Sequence, residues 1–311
     1  MNVRFHFMAW RRFFVVVSGV FLLVTVISLV LQGLNFGVDF RGGVVIDITT
    51  PAATTAHAVA QVLDAKYAAS QPQVQAFLNK GGREYQIQML PMSDTEAGQV
   101  FATLQQHFGQ ATAETQITEV SPTIGRELAR RALLAVALAT VLMTAYLGIR
   151  FQLGQAGSYS GLKFALAAVI ALLHDITLTV GLFSIFRLPV NSPFVAAVLT
   201  VYGYSMNDTI IVFDRIRERL GQTRQESLEE LIDVSLNQVL SRTIRTVATV
   251  ILALLAVYIL GGASTRDLAL ALLVGVSFGT YSSVFIASPV FLWLVGERGL
   301  RLRPTTRTAR G

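Results

Sequence analysis

The sequence predicts a polytopic α-helical membrane protein with six transmembrane helices and one small α+β domain outside the bilayer. Three observations carry that prediction. Of 311 residues, 53% are apolar and only 14% charged, where ordinary soluble domains are roughly a quarter charged. Six apolar runs approach or exceed the ~20 residues that cross the hydrocarbon core as a helix. Between the first two runs lies a long segment, 35–125, of quite different character, whose local patterns read β-α-β-β-α-β, the order of a ferredoxin-like split βαβ domain.

Residues 1–12 end in Arg11 and Arg12, and the first run, 13–34, follows them. A secretory signal is the competing reading. The run is longer than the roughly 7–15 residues of a signal h-region and no A-x-A cleavage site follows, so it is expected to persist as a membrane anchor. Within 35–125, Val44–Thr49, Val74–Asn79, Glu84–Leu90 and Thr112–Val120 read as strands, Thr54–Ala69 and Asp94–Phe108 as amphipathic helices, and Gly81-Gly82 as a turn. The remaining spans are expected at 126–150, 161–186, 191–213, 239–262 and 267–296, the last long enough to tilt or to extend past the bilayer. Residues 214–238 are rich in Arg and Glu, with apolar positions at Ile216, Leu220, Leu228, Leu231 and Ile232, and read as an amphipathic helix lying at the membrane surface. The Arg-rich tail, 297–311, is suited to electrostatic contact with anionic lipid.

Orientation follows from the basic residues. With the N-terminus inside, sixteen of the twenty-five Lys and Arg fall on the cytoplasmic side, among them Arg11, Arg12, Arg150, Lys163 and Arg215. Positive-inside therefore places both termini in the cytoplasm and the large loop outside. Arg126, Arg130 and Arg131, at the outer start of span two, argue mildly the other way. The net charge of +6 comes from residues scattered at the ends of apolar runs, with no basic stripe interleaved with aromatics, and so excludes a nucleic-acid surface. The absence of cysteine excludes disulfides and thiolate chemistry.

Charges inside spans cost roughly 2.5–3.5 kcal/mol each on insertion scales, so each is a candidate functional residue. Three stand out: Asp175 in the middle of span three, Asp208 in span four, and Arg242 in span five at about the depth of Asp208. The last two carry opposite charges on neighbouring helices and are expected to pair, as a proton site or as a fixed structural ion pair. His174-Asp175 invites a proton relay, a metal pair, half of a catalytic dyad, or a simple packing pair. No H-E-x-x-H or second cluster supports a metal, and adjacent helix positions point about 100° apart. An intramembrane aspartyl protease lacks its Gly-flanked aspartate here, and no G-x-S-x-G serine elbow is present. The sequence thus offers no catalytic residues, no metal ligands and no cofactor site. In span six, Gly275, Gly279, Ser283 and Ala287 recur every four residues, a small-residue stripe for close helix packing, either within the bundle or against a second subunit.

Six stretches carry a resemblance to a known family: GVDFRGG at 37–43, GRELARRALLA at 125–135, LLHD at 172–175, YGYSMNDTIIVFDRIRE at 202–218, SLNQVLSRTIRT at 235–246, and GGASTRDLALALLVGVSFGTYSSVFIASP at 261–289. Together they resemble the SecF side of the SecD/SecF family of bacterial protein-translocation factors. The resemblance implies half of an RND-type transporter, with SecD as the heterodimeric partner supplying the other six spans. It further implies association with the SecYEG channel, often with YajC, and use of the proton-motive force to promote preprotein translocation and release on the periplasmic side of the inner membrane. The family's proton-conducting aspartate and arginine match Asp208 and Arg242, with protons as coupling ion and no other cofactor. Tyr202 stands where similar sequences usually carry a branched apolar residue.

Overall fold

The computed structural model describes residues 5–77, 83–110, 112–152, 161–222 and 227–296. The Gly81-Gly82 turn, Arg224 and the 297–311 tail lie outside the described residues.

After a short 3-10 turn, α1 (Arg11–Gln32) runs to β1 (Asn35–Phe36) and the single-turn α2 (Val38–Arg41). The domain outside the spans then follows as β2 (Gly43–Thr49), α3 (Ala56–Tyr67), β3 (Gln73–Ala76), β4 (Glu84–Met89), α4 (Asp94–Phe108) and β5 (Ala113–Val120). Its sheet order is β3-β4-β2-β5 with every neighbouring pair antiparallel, the ferredoxin-like arrangement expected from the strand order. Alternation along the strands places Val44, Ile46, Ile48, Tyr85, Ile87 and Met89 on one face, fully buried against Val59 and Leu63 of α3 and Val100 and Leu104 of α4. Each such side chain contributes about 1.5–3 kcal/mol by leaving water. Both helices start on side-chain caps: Thr55 accepts from the Ala58 N–H, and Ser93 with Glu96 forms a reciprocal capping box.

Six helical spans follow the expected order, each long and apolar enough to cross a bilayer. After α1 they are α5 (Pro122–Gln152), α6 (Gly161–Ile185), α7 (Ser192–Gln222), α8 (Leu228–Leu260) and a final span built from α9 (Ala263–Ser282), a π turn at Ser283–Ala287 and α10 (Ser288–Val295). A short strand, β6 (Pro189–Val190), precedes α7 and pairs in parallel with β1.

Two expectations are corrected. The described parts of 214–238 do not form a separate helix on the membrane surface. Asp214–Gln222 continue α7, and Leu228–Gln238 are the first turns of α8. Leu228, Leu231, Ile232 and Leu236 turn inward to join Phe151, Phe164, Phe213 and Phe291 in one aromatic-rich core, so the apolar stripe meets protein, not lipid. Ion pairs fasten the same end, Arg150 to Asp214 at 2.7 Å and Arg11 to Glu229 at 2.7 Å. The last span, expected as one helix over 267–296, is interrupted by the π turn. Pro289 lacks the N–H that would bond the Phe285 carbonyl, and its ring crowds that carbonyl, which favours a wider turn just before it.

Candidate functional site

The buried polar centre of the bundle lies where α6, α7 and α9 meet. Close approach there depends on the small-residue stripe of span six. A Cβ on Gly275 would stand 2.2 Å from Val201 Cγ2, and one on Gly279 would stand 2.9 Å from Ser205 Cβ. Ser283 and Ala287 are fully buried. At Gly275 and Gly279 the stripe is therefore an internal seam between α9 and α7, the first of the two arrangements that the sequence left open.

Along this seam sit two carboxylates. Asp175, ten residues from the domain-side end of α6, is about 15 Å into that helix, near the middle of a span, and is 0% exposed. Its Oδ2 accepts from Ser205 Oγ of α7 at 2.5 Å and from Ser282 Oγ of α9 at 2.7 Å. Its Oδ1 lies 2.9 Å from His174 Nδ1. The expected divergence of adjacent helix positions does not keep these two side chains apart: both are sealed from the surface, and the ring turns back to the nearest acceptor. His174 Nε2 is buried without a hydrogen-bond partner among the described residues, and the ring stacks near Tyr281 with centroids 6.3 Å apart. Tyr281 itself donates to the Phe14 carbonyl at 3.0 Å and lies 2.9 Å from Ser18 Oγ, joining α1 to the cluster.

Asp208 is 7% exposed and lies almost one turn beyond Ser205 on α7, away from the domain. Its Oδ2 accepts from Thr280 Oγ1 at 3.1 Å. Arg242 does not join it. The guanidinium belongs to the exposed side of α8, where Ser241, Ile244 and Arg245 are exposed too, while Thr243 is the residue turned inward. The expected Asp208–Arg242 ion pair is thus absent among the described residues: the depths agree, but a helix advances about 100° per residue and places 242 off the inward face. Tyr202 is buried, its hydroxyl 2.5 Å from Thr140 Oγ1 of α5.

Burial of a carboxylate at such depth is costly unless donors or a counter-charge compensate it. Among the described residues Asp175 has three partners, whereas Asp208 has one, a neutral hydroxyl. No cluster of three or more acidic, His or Cys side chains suited to a metal exists among the described residues. Sequence reasoning missed Ser205, Thr280 and Ser282. The only available signal was the hydroxyl content of two otherwise apolar helices.

The comparisons with known proteins agree with this architecture. A family model described as protein export membrane protein SecD/SecF, C-terminal, matches residues 100–297, and one for the SecD/SecF GG motif matches 27–50. The chain belongs to the SecD/SecF family. It is 35% identical to the protein translocase subunit SecF of Rhodothermus marinus, over 98% of both chains. It is 32% identical to that of Escherichia coli O157:H7, over 94% of this chain and 89% of the other. Among solved structures, SecDF from Thermus thermophilus superposes with a TM-score of 0.78 at 30% identity, covering 92% of this chain and 38% of the SecDF chain. SecDF in a super-membrane-facing form gives 0.66 at 31% identity, covering 94% of this chain and 39% of the other. The chain thus spans well under half the length of those SecDF chains, and the two superpose on it unequally at nearly equal identity and coverage. By its relatives it is a SecF subunit of the protein export translocase, from a transport family.

Proposed function

We propose that this subunit couples the proton-motive force to protein export, with Asp208 as the coupling site. The observation that carries the reading is a buried aspartate within a span with, among the described residues, one neutral hydroxyl as its partner, at a seam packed through glycine. Protonation removes the cost of an anion there, and ionisation restores it. The two protonation states therefore favour different packings of α7 against α9. Thr280, which also donates to the Val276 carbonyl of its own helix at 3.0 Å, has an alternative partner when Asp208 changes charge.

Arg242, exposed on α8, acts in this reading from the surface that meets the partner subunit, SecD, where its charge biases proton uptake. His174 and Asp175 form a secondary relay. Each proton that crosses at 100 mV supplies about 2.3 kcal/mol, enough to shift a two-state element by tens-fold. The heterodimer works in the inner membrane with the SecYEG channel, and with YajC in its company. Both termini face the cytoplasm, and the ferredoxin-like domain faces the periplasm, where a preprotein is pulled or released.

The test is gradient-dependent release of a secreted protein from spheroplasts that carry this chain with SecD, comparing wild type with Asp208→Asn. Release is expected to fall to background with chain level and SecD association unchanged. Undiminished release by Asp208→Asn overturns the coupling role and leaves a scaffold.

A further inference from the structure

The ferredoxin-like domain is attached to the bundle at both edges of its sheet, and by different helices. At the β5 edge the chain passes through Ser121 directly into α5. A Cβ on Gly42 would lie 2.7 Å from Pro122 Cα, and one on Gly125 would lie 2.8 Å from the Gly42 nitrogen and 3.0 Å from the Phe40 carbonyl carbon. Gly42 has φ +78°, a conformation L side chains rarely adopt. Incoming and outgoing chains are therefore interlocked, and this edge moves with α5.

At the opposite edge, Arg266 in the first turns of α9 donates through Nη1 to the Ala76 carbonyl of β3. Its guanidinium also lies over the Tyr258 ring of α8, 5.4 Å from the centroid. Between the two edges, Asp39 of α2 accepts from the Ser192 N–H at 2.8 Å, capping the start of α7. Asn191 accepts from the Phe194 N–H at 3.1 Å and donates to Asp267 of α9 at 2.6 Å. The starts of α7 and α9, the two helices that meet at Asp208, are thus bonded to each other and to the domain.

We propose that the sheet is a lever, pivoted on α5 at the Gly42–Pro122–Gly125 crossing and driven at β3 through Arg266, which converts displacement of α9 relative to α5 into tilt of the domain. The proposal rests on the coupling reading above. Its arithmetic is simple. From β5 to β3 there are three strand spacings of about 4.8 Å, an arm of roughly 14 Å. Helix shifts of about 1–2 Å, common in switching bundles, then tilt the sheet by roughly 4–8°. Without the Arg266 tie β3 keeps the Gln75–Asp267 and Gln73–Asn35 hydrogen bonds, so a smaller part of the same shift reaches that edge.

The absence of native cysteine allows a direct test. Ala65→Cys on α3 and Leu133→Cys on α5, both at exposed positions, take nitroxide labels in the heterodimer reconstituted into vesicles. An imposed proton gradient is expected to shift the inter-label distance by about 1–3 Å. Arg266→Ala shrinks the shift to half or less, and Arg266→Lys, which keeps one donor, retains more of it. Unchanged distance distributions without a gradient verify that the variants fold. No shift in the unsubstituted chain, or an equal shift in Arg266→Ala, overturns the lever. If that occurs while Asp208→Asn still abolishes release, the coupling reading stands and only the lever falls. Release indifferent to Asp208 removes the coupling reading itself.

Discussion

Two sets of helices in this bundle are both long and apolar enough to cross a bilayer, and they are opposite in use. In α6, α7 and the α9–α10 span, 56%, 44% and 50% of the most apolar stretch is buried, against 6% in α5 and in α8. The inner set carries Asp175, Asp208, Ser205, Ser282 and the glycines that let helices touch. The outer set presents Leu133, Leu138, Val141, Leu252 and Leu260 on the chain's surface. Apolarity inserts a helix into a membrane, but small residues and hydroxyls decide which helices gather at the centre.

The sharpest way to break this contrast is to enlarge the seam. Gly275→Leu drives a side chain into Val201 and is expected to destabilise the bundle by roughly 3 kcal/mol or more, read as loss of the folded chain in a thermal-stability assay in detergent. Gly203 has nothing within 4 Å of an added Cβ, so Gly203→Ala should be neutral or stabilising by a few tenths of a kcal/mol. Equal behaviour of the two would show that the seam is not specific. A smaller effect separates the two carboxylates. Asp175→Ala strands the Ser205 hydroxyl and the imidazole, while Ser282 falls back on the Gly279 carbonyl, and should cost about 2–3 kcal/mol in the same assay. Asp208→Asn keeps an acceptor for Thr280 and should cost about 1 kcal/mol or less. If Asp208→Asn proves the more damaging to stability, the division into a structural and a switching aspartate fails.

The smallest effect lies outside the spans, where two carboxyls of one domain respond to acid in opposite senses. Burial in the sheet pushes the Asp47 carboxyl above its ordinary range, with Glu84 adding to this and the Gln86 hydrogen bond opposing it. Its stabilising contribution is present in acid and lost as pH rises through the raised value. The Ser93 N–H and hydroxyl hold Glu96 below its usual range, so its contribution is present above that range and lost as pH falls through the lowered value. Hydrogen exchange in the intact chain should therefore slow a few-fold in β2 for Asp47→Asn at neutral pH, with the difference from wild type fading in acid. A difference that grows in acid would reverse this assignment.

Much of this architecture was legible in the sequence because its signals are local. Span lengths and the strand patterns of β2 and β4 can each be read from consecutive residues. The tertiary pairings were not local. Ser205 and Ser282 converge on Asp175 across three helices, and nothing in their neighbours announces it. Arg242 shows the converse, since depth is readable by counting residues, but a single 100° step separates an inward from an outward side chain. The stripe Leu228, Leu231, Ile232 is amphipathic in sequence and structure alike, but it packs on protein and not on lipid, because periodicity gives a face without naming what covers it.

The crossing at Gly42 and Pro122 has a consequence for how such a chain is assembled over evolutionary time. The domain leaves and rejoins the bundle at one point, so its two ends already touch. A whole folding unit grafted or excised there need not separate α1 from α5, and geometry of this kind favours domain insertion. The bundle offers one socket, and a different cassette plugged into it would have a small set of polar contacts to rebuild at its far edge, those of Arg266, Asp267 and Asn35.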